Sequence, residues 1–167
     1  YHDKLDCRVS LKVPGRHNVD NALAAFAAAK VFDIDSKYIV EGLENYTGTD
    51  RRFQYKGTFN GVTVIDDYAH HPTEVKATLA AAKNIDKKKL WCIFQPHTYS
   101  RTYNLLKEFA EAFDDADKIV VADIYAAREK DTGLINSSVL VEEIKRRGKD
   151  AVYVGGFPAI KEYIKEN

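Results

Sequence analysis

Methionine is absent from this 167-residue sequence, cysteine occurs twice, proline four times and tryptophan once. Each scarcity removes a class of protein. Cys7 and Cys92 lie far apart, and Cys92 falls inside the apolar run LWCIFQ. Two such thiols predict reduced, structural cysteines and not a disulfide framework. No apolar run approaches the roughly 18 residues of a membrane-spanning helix, and no charged-then-apolar leader opens the chain. The expected location is cytoplasmic. Excess charge is missing too, with 25 Lys and Arg against 25 Asp and Glu. No bulk field draws the protein to nucleic acid or to an anionic membrane, so any phosphate recognition must be local. The missing initiator methionine leads us to expect a piece of a longer polypeptide. Its opening YHDKLDCRVSLKVPG reads as the last strand of a larger sheet cut mid-domain.

Signature motifs are also missing. The chain has no GxxxxGK[ST] phosphate loop and no GxGxxG after a strand, so the usual backbone cradles for triphosphate and dinucleotide are absent. No HxxxH or CxxC spacing suggests a metal, and none is expected to bind here. No serine sits in a GxSxG elbow.

What is present is a globular composition, 45% hydrophobic and 30% charged, enough for one sizeable core. Residues 18–32 have the alanine and leucine density of a buried helix with Asn18 as its cap, and 35–46 form a second helix capped by Asp35 or Ser36. Asn60-Gly61 between alternating polar and apolar residues predicts a hairpin of strands 52–59 and 62–66. Strand and helix then alternate. A helix with Pro72 in its first turn leads to a buried strand at 89–95, and a helix over 101–116 leads to a strand at 118–123. A helix closed by Gly148, a strand from Ala151 and a last helix from Phe157 complete the pattern. The expected fold is α/β, a Rossmann-like, mostly parallel sheet with helices on both faces and an N-terminal β-hairpin edge. It is preceded by a mainly helical tail.

In such sheets ligands bind beyond the carboxyl ends of the strands. Three polar clusters fall at those ends: DDYAHH after VTVI, QPHTYSR after LWCIF, and DIYAARE after KIVV. Plainer roles compete for some members. A loop histidine such as His70 or His71 more often caps or packs against the next helix than it does chemistry. One of Asp66 and Asp67 is expected to supply only helix N-terminal charge. Arg51-Arg52 reads as an exposed strand start. Arg101, by contrast, opens a predicted helix where the dipole disfavours a cation, which points to an anionic client.

Taken together, PGRHNVDNALAA (14–25), RRFQ (51–54), IDDYAHHPTEV (65–75), FQPHTYSRT (94–102) and DIYAARE (123–129) resemble the C-terminal portion of Mur ligase family members, in order and over nearly the whole chain. The first element is shared with folylpolyglutamate synthetases and identifies only the superfamily. DDYAHHPTE with FQPHTYSRT is far more specific and is similar to the alanine-adding branch.

The resemblance implies a three-domain enzyme, with residues 1–46 the tail of a central ATPase domain and 47–167 a C-terminal amino-acid-binding domain. It implies an ATP-dependent carbon-nitrogen ligase of peptidoglycan precursor synthesis that joins L-alanine to UDP-N-acetylmuramate through an acyl phosphate. ATP and Mg2+ would serve the full-length enzyme, with nothing held tightly by this segment, which alone should be inactive. Its partners would be small-molecule substrates and the missing domains of its own chain, not nucleic acid or membrane. Carried over position by position, Asn21 contacts the adenine with His17 and Asn18 beside it, Arg52 reaches the ribose and phosphates, and Asp66 is placed against the nucleotide. Tyr68, His70 and Arg101 match positions around the incoming alanine, with His70 orienting the amine or taking its proton. Thr98 stands where many relatives carry Arg, and Arg128 is a candidate substitute. Strictness for alanine over glycine or serine turns on a difference of about 1–3 kcal/mol. Two other readings stay open: a ligase that attaches a tripeptide during cell-wall recycling, and a non-catalytic small-ligand binding module.

Overall fold

A computed structural model describes residues 7–167, which fall into two compact units, one running to Tyr68 and the other Ala69–Asn167. The second unit is built on β3 (Trp91–Phe94), β4 (Lys118–Ala122) and β5 (Ala151–Gly155), parallel and in the order β3-β4-β5. β4 is central, and Ile119, Val120 and Val121 are completely buried, as a strand covered on both faces requires. Alternation along β4 assigns each face a core. Ile119 and Val121 pack with Phe94, Phe109, Leu140 and Ile144, the side served by α3 (Pro72–Lys83), α5 (Leu106–Ala112) and α6 (Ser137–Arg146). Val120 and Ala122 pack with Ile160 of α7 (Phe157–Glu166), joined by Trp91 and Tyr163. Each large side chain so buried contributes about 1.5–3 kcal/mol. Phe94 meets the rings of Phe109 at 5.5 Å and Phe113 at 5.2 Å, which knits strand to helix. Beside it, burial pushes the Cys92 thiol up to about 12.

The helix expected over 101–116 is two: α4 (Tyr99–Asn104) and α5, broken at Leu105 with φ −113° and ψ 25°. Two anchors compete for one helical phase. α4 starts from the turn at Thr98, whereas α5 must aim Phe109 at the core, and the break at Leu105 reconciles them. The strand expected at 89–95 contracts to four residues. α6 ends as its sequence predicts, with Gly148 at φ 79° donating its N–H to Lys145 O.

The first unit holds α1 (Arg16–Val31), α2 (Ser36–Asn45) and a hairpin of β1 (Gln54–Phe59) and β2 (Val62–Asp66), which forms a two-stranded sheet of its own. Asn60 at φ 50° and Gly61 at φ 81° adopt the positive angles that the hairpin turn needs. Asp35 caps α2 by accepting from Lys37 N–H at 2.9 Å. Asn18 does not cap α1. The helix begins at Arg16 after Gly15 (φ 101°), and Asn18 Nδ2 donates back to Pro14 O at 2.6 Å. Nor is α1 buried, for none of its residues is enclosed. Its apolar side, with Val9, Leu11, Val13 and Leu43, lines an apolar hollow of about 610 Å³ that nothing among the described residues fills. The strand expected at the start of the chain falls partly outside the described residues, and residues 7–15 form none. Among the described residues no helix is long and apolar enough to cross a membrane.

Candidate functional site

In the first unit the end of β2 carries Asp66, Asp67 and Tyr68. Asp67 Oδ2 accepts from Phe53 N–H at 2.7 Å and ties the segment before β1 to the segment after β2. Of the two aspartates, this one has a plain structural task. Asp66 lies 3.8 Å from the Arg51 guanidinium, which also sits 4.5 Å above the Tyr68 ring. Tyr68 N–H closes the arrangement by donating to Arg51 O at 2.8 Å. Arg51, read from the sequence as an exposed strand start, is thus the cation that organises this end of the hairpin. Arg52 is exposed on the same turn, its N–H on Thr49 O. His17, Asn18 and Asn21 occupy the first turns of α1, His17 and Asn18 half-buried and Asn21 exposed.

In the second unit the loop into α3 divides its histidines between two tasks. His71 caps the helix, its Nδ1 accepting from Thr73 N–H at 3.3 Å. Glu74 completes the capping box by accepting from His71 N–H and from His70 N–H at 3.0 Å. His70 Nδ1 stands 3.4 Å from Glu74 Oε2, and the His70 ring lies 5.7 Å from that of His97. The neighbouring histidine therefore takes the capping role that competed for His70.

The loops after β3 and β4 are zipped together by an isolated parallel bridge between His97 and Tyr125. Thr98 N–H donates to Tyr125 O, and Tyr125 N–H to Pro96 O, both at 2.9 Å. Thr98 sits at φ 68° and ψ 146°, a conformation rare for a β-branched residue. Its Oγ1 accepts from Arg101 N–H at 3.4 Å. The Arg101 guanidinium reaches out of α4, with Nη1 3.3 Å from His97 Nδ1 and 3.5 Å from His70 O. Burial, then the charges of Arg101 and His70, hold His97 below the ordinary imidazole range. It is accordingly neutral at pH 7, and the contact with Arg101 assigns Nδ1 as acceptor and Nε2 as the protonated nitrogen. Glu129 accepts from Ser100 N–H at 2.8 Å and from Ser100 Oγ–H. Those two donors hold its carboxyl below the usual carboxylate range.

The structure thus brings His70, Thr98 and Arg101 together around His97, and sets Asp66 and Tyr68 around Arg51. Arg128 is exposed and makes no hydrogen bond among the described residues. Arg101 forms no ion pair with a carboxylate among the described residues, so a half-buried cation faces the site without a neutralising partner. No group of three or more His, Cys, Asp or Glu among the described residues is arranged to hold a metal ion. Glu129 and Ser100, 29 positions apart, were not legible from spacing.

Curated relatives match the chain closely. A UDP-N-acetylmuramate–L-alanine ligase of Caldanaerobacter subterraneus is 53% identical over all 167 residues, which make up 36% of its own length. The corresponding ligase of Lachnospira eligens is 55% identical over 95% of this chain and 35% of its own. The chain therefore spans about a third of the curated relatives it matches. Among solved structures, a UDP-N-acetylmuramate–alanine ligase from Thermotoga maritima covers 96% of this chain with a TM-score of 0.78 at 33% identity, using 34% of its own length. A murein peptide ligase from Psychrobacter arcticus covers 93% with a TM-score of 0.66 at 28% identity and 32% of its length. Residues 51–166 match the Mur ligase glutamate ligase domain, and the chain belongs to the Mur ligase family.

Proposed function

We propose that this chain is the C-terminal portion of an ATP-dependent ligase that joins L-alanine to UDP-N-acetylmuramate in cytoplasmic peptidoglycan precursor synthesis. The observation that carries the reading is the 53% identity to an alanine ligase along the entire chain. The family match beginning at residue 51 is consistent with a division near 46/47, the preceding residues belonging to a central ATPase domain.

The chemistry suits the side chains. ATP converts the muramate carboxylate to an acyl phosphate, the alanine amine attacks, and the tetrahedral intermediate expels phosphate to leave an amide. The amine attacks only as the free base, and the intermediate carries developing negative charge that needs donors nearby. Arg101 has no carboxylate of its own among the described residues, and one of its N–H groups rests against His97, leaving others for a substrate carboxylate. That supports a role in holding alanine. His70, oriented by Glu74, is assigned to orient the amine or take its proton, and Tyr68 to the same substrate. Thr98 and Arg128 complete the amino-acid set, with exposed Arg128 the substitute for the arginine that many relatives carry at the Thr98 position. His17, Asn18, Asn21, Arg52 and Asp66 are assigned to the nucleotide. Magnesium is expected in the full-length enzyme, but the described residues offer no cluster that fits it, and no step is assigned to a metal here. The segment alone lacks a phosphate loop and should not turn over.

A murein peptide ligase at 28% identity supports one rival, attachment of a tripeptide. Phosphate release by the protein extended to its full length, with ATP, magnesium and UDP-N-acetylmuramate, separates the two. Release that requires L-alanine supports the proposal, and release only with L-Ala-γ-D-Glu-meso-diaminopimelate transfers the assignment to the recycling reaction. Silence with both leaves a binding module. Unchanged turnover in His70→Ala would remove that residue from the mechanism.

A further inference from the structure

The turn that carries Arg101 is held in a conformation its own sequence disfavours. Thr98 occupies φ 68° and ψ 146°, where a β-branched side chain crowds its backbone. Ties on both sides keep it there. Its N–H is taken by Tyr125 O at 2.9 Å, and its carbonyl accepts from the hydroxyl of Thr102, a fully buried residue, at 2.7 Å. Beyond it, both the N–H and the hydroxyl of Ser100 are engaged by the two oxygens of Glu129. Glu129 is itself fixed, its N–H donating to Ala126 O at 2.9 Å across a turn in which Ala127 has φ 55°. Among these ties on the Thr98–Arg101 turn, Glu129 supplies the charged one. It acts on Ser100, the residue directly before Arg101. The guanidinium at the end of that lever has two restraints of its own, at 3.3 and 3.5 Å, both at the long end of hydrogen bonding. The direction of Arg101 is therefore set mainly by its backbone.

We infer that Glu129 is a positioning residue for the amino-acid site: by bridging the loop after β4 to the first turn of α4, it holds the Thr98–Arg101 turn in place and so aims Arg101 at the substrate carboxylate. Glu129 touches no substrate in this scheme. The inference rests on the proposed alanine role of Arg101. It also offers a reason why a residue as unsuited as threonine is accommodated at position 98, since the clamp offsets the local strain.

The test is steady-state kinetics of the full-length ligase with Glu129→Ala and Glu129→Gln. Glu129→Ala should raise the KM for L-alanine at least about tenfold while the KM for ATP stays within about twofold. Glu129→Gln keeps one acceptor oxygen and should fall between. A residue that merely stabilises the fold would change both KM values together, so the split between alanine and ATP separates positioning from general destabilisation. The 15N imidazole signals of His97 in the same proteins give a readout independent of turnover and should change when Arg101 leaves Nδ1. Glu129→Ala with an unaltered alanine KM, or equal changes in both KM values, would overturn the inference. A wild-type enzyme without alanine-dependent phosphate release would instead overturn the functional reading on which it stands.

Discussion

The two units handle apolar surface in opposite ways. In the second, one strand is sealed on both faces, and Phe109, Phe113, Leu140 and Ile144 are completely enclosed. In the first, Ile39 is the single buried hydrophobic side chain among the described residues, while Leu23 is 62% and Phe32 80% exposed. Both regions have the composition of a core, but only one has assembled it. Enough apolar residues are not sufficient for burial; a helix needs a closely packed facing surface, and β4 supplies one, whereas among the described residues α1 meets only α2 and residues 9–13 around a hollow.

Paired truncations should break this symmetry of composition most sharply. Phe109→Ala removes a fully enclosed ring and should cost about 3–5 kcal/mol, whereas Leu23→Ala should stay within about 0.5 kcal/mol. Urea unfolding measures both, followed for Phe109→Ala through Trp91, which packs against the second unit's core, and for Leu23→Ala through the far-ultraviolet circular dichroism of the helices. A large effect of Leu23→Ala would mean that α1 is covered after all. Next in size, Arg101→Ala in the full-length enzyme should raise the KM for L-alanine about 10²-fold, and Arg101→Lys should recover little of it because the planar fork is lost. An unchanged KM would detach the second unit from amino-acid binding. Removal of the helix cap by His71→Ala should lower the stability of the second unit by about 1 kcal/mol and leave the first unit's helicity unaffected.

The smallest effect is a pH dependence confined to the second unit. His97 has its folded pKa lowered below the ordinary value of 6.5, so the unfolded chain takes up a proton first as the solution is acidified. Its contribution is intact above that value and is lost as pH falls from there through the folded pKa. The unfolding midpoint should decline on going from pH 7 to pH 5, and His97→Asn should flatten the decline. A midpoint indifferent to pH would show that His97 is no better protected folded than unfolded.

Much of this was legible in the sequence because it depends on short-range pattern. The alternation of strand and helix after residue 66, the Asn60-Gly61 turn and the clustering of polar residues after three strands all follow from periods and turn chemistry. The rest depends on contacts between distant segments. The break at Leu105 follows from a helix serving both the Thr98 turn and the Phe109 core, and a helical period contains neither demand. Asn18 looked like a cap because asparagine usually is one, but Gly15 admitted the helix three residues earlier. Arg51 was passed over because its value lies in the folded approach to Asp66 and Tyr68, not in its neighbours along the chain.

The raised pKa of the half-buried Cys92 thiol gives the two units separate chemical addresses. A cysteine with its pKa near 12 presents almost no thiolate at neutral pH and resists alkylating reagents as long as its surroundings stay folded. Cys7, equally half-buried and beside the apolar hollow, is the other thiol in the chain. A maleimide dye applied to the native protein would therefore mark the first unit alone, and the appearance of a second label would time the opening of the other.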